Sequence, residues 1–333
     1  MKKTSEIKTN KVPNFKAPLF LSSSFAQTFL NSARFRNKGI QKFDVRAREI
    51  LVDCENGELL QAFISEHHTA SKGLIIIIHG WEGNHNSAYV INTGRYFFNK
   101  GYNVCRLNLR DHGTSHRLNE GFFLGTMSPE AFKGIKDIIK KHSADMPVFL
   151  IGFSMGANFS IRIAKHASDE NYQRLKRVVA INPPYTPYES LKDLDKSKNF
   201  RNYFVRKWKR SLKIKQELFP HLYSFEDLLE METCEEMSHV ILRRYTDFKD
   251  LTDYYSRYTL TDGWLDKITI PLTVIMSKDD PIISYKEIVA TKMSPTVNLL
   301  LQNNGGHCGY IKNYKLESWY TDIIYDMFEA DMQ

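Results

Sequence analysis

The chain is poor in cysteine and has no long apolar run. Its four cysteines, Cys54, Cys105, Cys234 and Cys308, are scattered through 333 residues without the spacing of a disulfide framework or a thiolate metal site. A reducing, cytoplasmic setting is therefore expected. No segment reaches the length of about 20 apolar residues that a membrane span requires; the longest run, residues 74–78, reads as a buried strand. The opening Met1-Lys2-Lys3-Thr4-Ser5-Glu6 has lysines but no apolar stretch behind them, so no secretory signal is expected. Low-complexity sequence and internal repeats are also missing.

Charge of one sign is missing twice. Residues 196–215 hold nine Lys/Arg and no acid, and residues 217–236 hold seven acids and no Lys/Arg, in a chain of net charge +8. Phe200, Tyr203, Phe204 and Trp208 are interleaved with the bases. No recognition fold surrounds this block, which argues against nucleic acid as a partner. The plain reading is a solvated helix face whose charges pair with the adjoining acidic block. The functional alternative is a basic amphipathic helix on anionic lipid, a peripheral membrane contact through 196–215.

What is present is a strand–helix rhythm. Residues 1–40 are basic and polar with apolar anchors at Phe15, Leu19, Phe20, Leu21, Phe25, Phe29 and Leu30, which suggests an arm wrapping the body. Strands at 46–52 and 59–65 flank Glu55-Asn56-Gly57, a hairpin signal. Strands come next at 74–79, 103–109, 148–153 and 178–181, alternating with helices at 88–99, 129–142 and 155–166. Residues 185–262 break the rhythm with long helical patterns. It resumes with strands at 272–276 and 297–301 and helices at 285–292 and 310–327. Strands apolar on both faces imply an α/β, mostly parallel, doubly wound sheet covered by helices. The expected organisation is an arm (1–40), a core (41–184 and 263–333) and an inserted helical cap (185–262). The cap should lie over the strand ends, with Phe204, Leu212, Leu218 and Leu222 as candidates for a pocket and the basic run on its outer side.

The chemistry-bearing motif is Gly152-Phe153-Ser154-Met155-Gly156, between an apolar strand and a helical stretch. A serine between two glycines at such a corner fits a nucleophile elbow, where a side chain at 152 or 156 would collide with the neighbouring backbone. A serine hydroxyl needs a base, and the base needs a carboxylate to hold its tautomer. Two later strands end in Lys278-Asp279-Asp280-Pro281 and Gly305-Gly306-His307, in the required order Ser, Asp, His. Ser154, Asp280 and His307 are the candidate catalytic residues, with Asp280 preferred over Asp279 because it directly precedes the Pro-Ile-Ile turn. The candidate oxyanion donors are the backbone N–H groups of Met155 and of Trp81, in His79-Gly80-Trp81-Glu82-Gly83. Glu82 is expected to brace that loop. His79, His85, Asp111, His112 and His116 lie toward the same sheet end but lack metal-ligand spacing, so neither metal nor cofactor is expected; Arg110-Asp111-His112-Gly113 should instead fix the loop beside the oxyanion site.

These motifs resemble the α/β-hydrolase fold, and most closely its YheT-type branch, which includes the abhydrolase-domain lipid hydrolases. Ala26-Gln27-Thr28-Phe29, His79-Gly80-Trp81-Glu82-Gly83, Asn108-Leu109-Arg110, Gly152 to Asn158, Phe248-Lys249-Asp250, Asp279-Asp280-Pro281 and Gly305 to Tyr310 carry the resemblance in order. Trp81 stands where the branch usually has leucine. The resemblance implies an eight-stranded, mostly parallel sheet with an inserted cap and hydrolysis of carboxylic esters with apolar acyl groups. Acyl transfer to an alcohol or thiol would use the same residues. A non-catalytic binding protein of this fold would have lost members of the Ser-His-Asp set, and none is lost.

Overall fold

Residues 74–78 are Leu-Ile-Ile-Ile-Ile and buried throughout, a composition that is stable in a strand only when helices cover both faces. The computed structural model, which describes residues 12–37, 43, 47–261 and 263–333, places this strand inside an eight-stranded sheet. The strands are β1 (Ala47–Asp53), β2 (Leu59–Ser65), β3 (Leu74–Ile78), β4 (Asn103–Asn108), β5 (Val148–Phe153), β6 (Leu175–Ile181), β7 (Leu272–Ser277) and β8 (Val297–Gln302). Their order is β1-β2-β4-β3-β5-β6-β7-β8, with β2 antiparallel to both neighbours and every other pair parallel.

The described helices are α1 (Ser24–Ser32), α2 (Ala88–Asn99), α3 (Ser128–His142), α4 (Met155–Asp169), α5 (Pro187–Lys196), α6 (Lys198–Leu218), α7 (Cys234–Tyr245), α8 (Leu251–Ser256), α9 (Lys286–Ala290) and α10 (Trp319–Ala330). Alternation along β3 feeds two cores. Leu74, Ile76 and Ile78 pack with the apolar residues of α3 and α4, whereas Ile75 and Ile77 pack with those of α2 and α10. The α3 boundaries are written in its sequence: Pro129 and Glu130 occupy its first turn and Lys140, Lys141 and His142 its last, matching the helix dipole. In α7, Thr233 caps the helix by accepting from the Glu236 N–H. The four helices α5 to α8 all lie between β6 and β7 in the chain.

Two expectations change. The last helix begins at Trp319 rather than near Tyr310, because the preceding stretch stays open. Cys308 and Tyr310 adopt positive φ (60° and 50°), and Ile311 bridges to Ser318. The arm is also anchored differently. Phe15 is buried against Tyr310 and Trp319, but Leu19, Phe20, Phe25 and Phe29 are exposed. The buried residues of α1 are Gln27 and Asn31. Gln27 accepts from the Ile311 N–H (2.6 Å) and donates to Leu21 O (2.6 Å), so an amide satisfies loop backbone where an apolar anchor is expected.

Candidate active site

Ser154 sits at φ 52°, ψ −119°, a strained conformation that its neighbours impose. A Cβ on Gly152 would lie 2.2 Å from Gly156 O, and one on Gly156 would lie 2.3 Å from His79 O, so only glycine fits at either position. The β5–α4 corner therefore presents the Ser154 hydroxyl outward, and Oγ–H donates to His307 Nε2 (2.9 Å). His307 Nδ1–H donates to Asp280 Oδ2 (2.8 Å), which assigns the tautomer that leaves Nε2 free to accept. The structure thus brings the three sequence-selected side chains into one hydrogen-bonded line.

Asp280 is fixed from four directions. Its Oδ2 also accepts from Asn182 Nδ2 (2.6 Å), and its Oδ1 accepts from the Ile282 and Ile283 N–H groups (2.9 Å each). Asn182, at the end of β6, is in turn held by the Tyr310 hydroxyl (2.9 Å). Asp279 turns away to accept from the Gly306 N–H (2.9 Å), which holds the loop carrying His307. From the arm, Thr28 Oγ accepts from the His307 N–H (2.8 Å). Asn182 and Thr28 are residues at the site to which sequence reading assigns no role, although Thr28 lies in a segment that carries the family resemblance. Their signals, an Asn before Pro183-Pro184 and a Gln-Thr pair, are too common to stand out.

The loop after β3 lies against the same serine. A Cβ on Gly80 would be 3.1 Å from Ser154 Cβ. The N–H groups of Trp81 and Met155 have no protein acceptor among the described residues, as donors awaiting a ligand oxygen should. The surrounding histidines are spent on backbone. His79 Nε2 accepts from the Leu109 N–H (3.1 Å) and Nδ1 faces Gly80 O (2.7 Å), while His112 Nε2 accepts from the Glu82 N–H (3.1 Å). Burial drives His79 well below its ordinary range and His112 down to about 4, so both are neutral. Burial also pushes the Glu82 carboxyl up to about 7, against the pull of Lys207.

Ser154 and His307 open into a cleft between the sheet and the inserted helices. Its walls include Trp81, Phe123, Leu194, Phe204, Ile241 and Tyr255, and among the described residues no Asp, Glu, Lys or Arg lines it. Trp81 stacks on Phe204 (5.2 Å, 9°) and meets Trp208 edge-on (5.3 Å), so the residue at the leucine position joins the loop after β3 to α6.

A family model described as “Serine aminopeptidase, S33” matches residues 69–307. The chain belongs to that family. Among its relatives is the Escherichia coli protein YheT, whose name carries the word esterase, 22% identical over 269 residues, covering 78% of this chain and 77% of that one. Human “Monoacylglycerol lipase ABHD2” is 20% identical over 294 residues, covering 81% of this chain and 68% of that one. The Pyrococcus furiosus esterase Pf2001 superposes with TM-score 0.58 at 16% identity, over 89% of this chain and 96% of its own. These place the chain among abhydrolase-domain serine hydrolases of the esterase and lipase-like kind; the superposition speaks for the fold.

In this S33-family hydrolase the basic run 196–215 does not form one outward face. Lys215 is buried: its Nζ pairs with Asp111 Oδ1 (3.0 Å) and donates to the carbonyls of Asn119 (2.6 Å), Gly121 (3.1 Å) and His116 (3.3 Å). Burial lowers the Lys215 ammonium and raises the Asp111 carboxyl, and their attraction opposes both. Lys207 reaches Glu82 O (2.7 Å). Among the described residues no ion pair joins this run to the acids of 217–236; Asp227 pairs with Arg244 instead. Charges on a helix of this length meet the groups packed across from them rather than their neighbours along the chain. Phe204 does line the cleft, but Leu212 is buried in the core away from it, and Leu218 and Leu222 are exposed. Asn158, the trailing residue of the elbow motif, donates to Pro184 O (3.0 Å) and Tyr258 O (3.1 Å), tying α4 to both ends of the inserted helices.

Proposed function

We propose that this hydrolase cleaves carboxylic esters with apolar acyl groups through an acyl-enzyme on Ser154. The supporting observation is the unbroken Ser154–His307–Asp280 hydrogen-bonded line facing an uncharged cleft. Ser154 Oγ attacks the acyl carbon as His307 Nε2 takes its proton, and the carbonyl oxygen becomes an oxyanion held by the Met155 and Trp81 N–H groups. Collapse breaks the ester C–O bond, and His307 passes the proton to the leaving alcohol. Water then attacks the acyl carbon, giving its proton to His307, which returns it to Ser154 as the carboxylic acid departs. Asp280 keeps His307 in the working tautomer throughout.

An aminopeptidase, by contrast, has to hold the substrate's α-ammonium, and among the described residues the cleft walls offer no carboxylate for it. Apolar walls favour acyl chains. A fluorophosphonate probe should label the wild type and not Ser154→Ala, and p-nitrophenyl esters should be cleaved with kcat/KM rising from acetate toward longer acyl chains. Undiminished labelling of the variant would sink the nucleophile assignment. Faster cleavage of aminoacyl p-nitroanilides than of any ester would sink the substrate class.

A further inference from the structure

Helix α1 is amphipathic in the wrong sense for a helix packed on a core. Its buried positions, Gln27 and Asn31, are amides, while Phe25 and Phe29, one turn apart, are 53% and 61% exposed. The turn before it carries Leu19 and Phe20 at 72% and 85% exposure, and the Tyr314 hydroxyl, on a side chain 66% exposed, donates to Leu19 O. The Phe25 ring meets Phe200 of α6 (6.3 Å), and Tyr203, one turn on, is exposed as well. Scattered apolar side chains need no explanation, but an apolar face assembled from three segments does.

Charge says what covers it. Residues 12–33 carry Lys16 as their single charged residue, and residues 196–215 contain nine Lys/Arg and no acid. The two acid-free stretches meet at the Phe25–Phe200 contact. Lys16, Lys198 and Lys315 are exposed and stand within four positions along the chain of Phe20, Phe200 and Tyr314 respectively. Aromatic side chains between cations fit the headgroup level of an anionic bilayer, where rings enter the interface and ammonium groups meet phosphates. Among the described residues no helix is long and apolar enough to cross a membrane, so the contact is peripheral.

We propose that α1 and its preceding turn, with the first turns of α6, dock this protein on anionic lipid surfaces. The insertion element is thus the Phe25/Phe29 face and the Leu19-Phe20 turn, and the exposed Arg206, Arg210 and Lys213 of α6 supply the charge. The docked face adjoins the cleft. Thr28 of α1 holds the His307 N–H, and α6 runs on from Phe200 to Phe204 and Trp208 on the cleft wall. An ester partitioned into the bilayer is thereby brought beside the opening. This last point rests on the ester-hydrolase reading, whereas the docking itself does not.

The test separates the two by using the full chain carrying Ser154→Ala, so that binding is measured without turnover. Co-sedimentation with phosphatidylglycerol/phosphatidylcholine vesicles should capture the protein at 50 mM salt, and capture should fall at least tenfold at 500 mM. Phe20→Ser/Phe25→Ser/Phe29→Ser should lower it at least tenfold while the melting temperature stays unchanged, and Leu19→Glu should act in the same direction. Equal sedimentation of parent and triple variant would overturn the proposal, as would equal capture by pure phosphatidylcholine vesicles. So would a dimer in solution that the triple substitution converts to monomer with no vesicle binding by the parent, which would assign the face to a second copy of the chain.

Discussion

At the ends of β5, β7 and β8 the side chains are held by backbone and by one another. Asp280 accepts from two main-chain amides, an asparagine and a histidine, and Ser154 is locked at positive φ by two glycines that nothing else replaces. Across the cleft, α5 to α8 contribute rings and aliphatic chains, and none of them makes a hydrogen bond to Ser154, His307 or Asp280 among the described residues. One wall is specified atom by atom, and the other only by shape and polarity. Chemistry should therefore fail with single atoms on the first wall, and stability or chain-length preference should shift on the second.

The sharpest break is at the carboxylates. Asp280→Asn should lower kcat on p-nitrophenyl acetate by about three to four orders of magnitude through the wrong histidine tautomer. Asp279→Asn, which only loosens the Gly306 amide, should cost less than about tenfold. The opposite ranking in steady-state kinetics would reverse their roles. A cap-side variant of comparable free-energy cost should look quite different. Lys215→Met leaves Asp111 buried without its cation and should destabilise by about 3–5 kcal/mol, read from denaturant unfolding. The folded fraction should keep a near-normal kcat on short esters, and adding Asp111→Asn should recover part of the loss.

A smaller effect tests the joint between the two walls. Asn158→Ala removes the donor to Pro184 O and Tyr258 O, two buried carbonyls, and should cost about 1–3 kcal/mol. It should raise KM for long acyl esters more than for acetate; an equal change for both would place its effect on the elbow alone. The smallest effect is a pH dependence. The folded-state Glu82 carboxyl lies at about 7, above its ordinary 4.5, so the native state holds this proton more tightly than the unfolded chain does. Its contribution to stability is then fully present below about 4.5 and lost as pH rises through about 7. Glu82→Gln escapes that loss. The stability difference, variant minus parent, should become more positive from pH 5 to pH 8 by on the order of 1–3 kcal/mol. A difference independent of pH would show that Glu82 ionises without penalty.

The same contrast governs what can be read from the chain. Gly152, Gly156, the Asp-Asp-Pro turn and Gly-Gly-His are legible because backbone geometry leaves almost no substitute at those places, and the parallel strands are legible because burial on both faces enforces unbroken apolar runs. The inserted segment is legible only as helical. Which face of α6 turns inward depends on what stands opposite, so Phe204 is recognised while Leu218 and Leu222 are misjudged and Lys215 is taken for surface. The arm misleads in the same way, since Gln27 fills a place that hydrophobicity assigns to phenylalanine. The long loop before α10 is hidden because its residues obey no period, and Asn158 is quoted as part of a motif without its partners being visible.

The tie that Asn158 makes has a consequence for the chain as a polymer. Pro184 and Tyr258 are drawn to one side chain, and the Leu260 N–H donates to Tyr185 O (2.9 Å), so the inserted helices leave and rejoin the core at a single point. A loop whose ends already touch adds closure entropy only as the logarithm of its length. Lengthening, shortening or locally melting the insert therefore costs the sheet very little, while it redraws one wall of the cleft. The shape of the cleft rides on the stretch whose size the core is least able to feel.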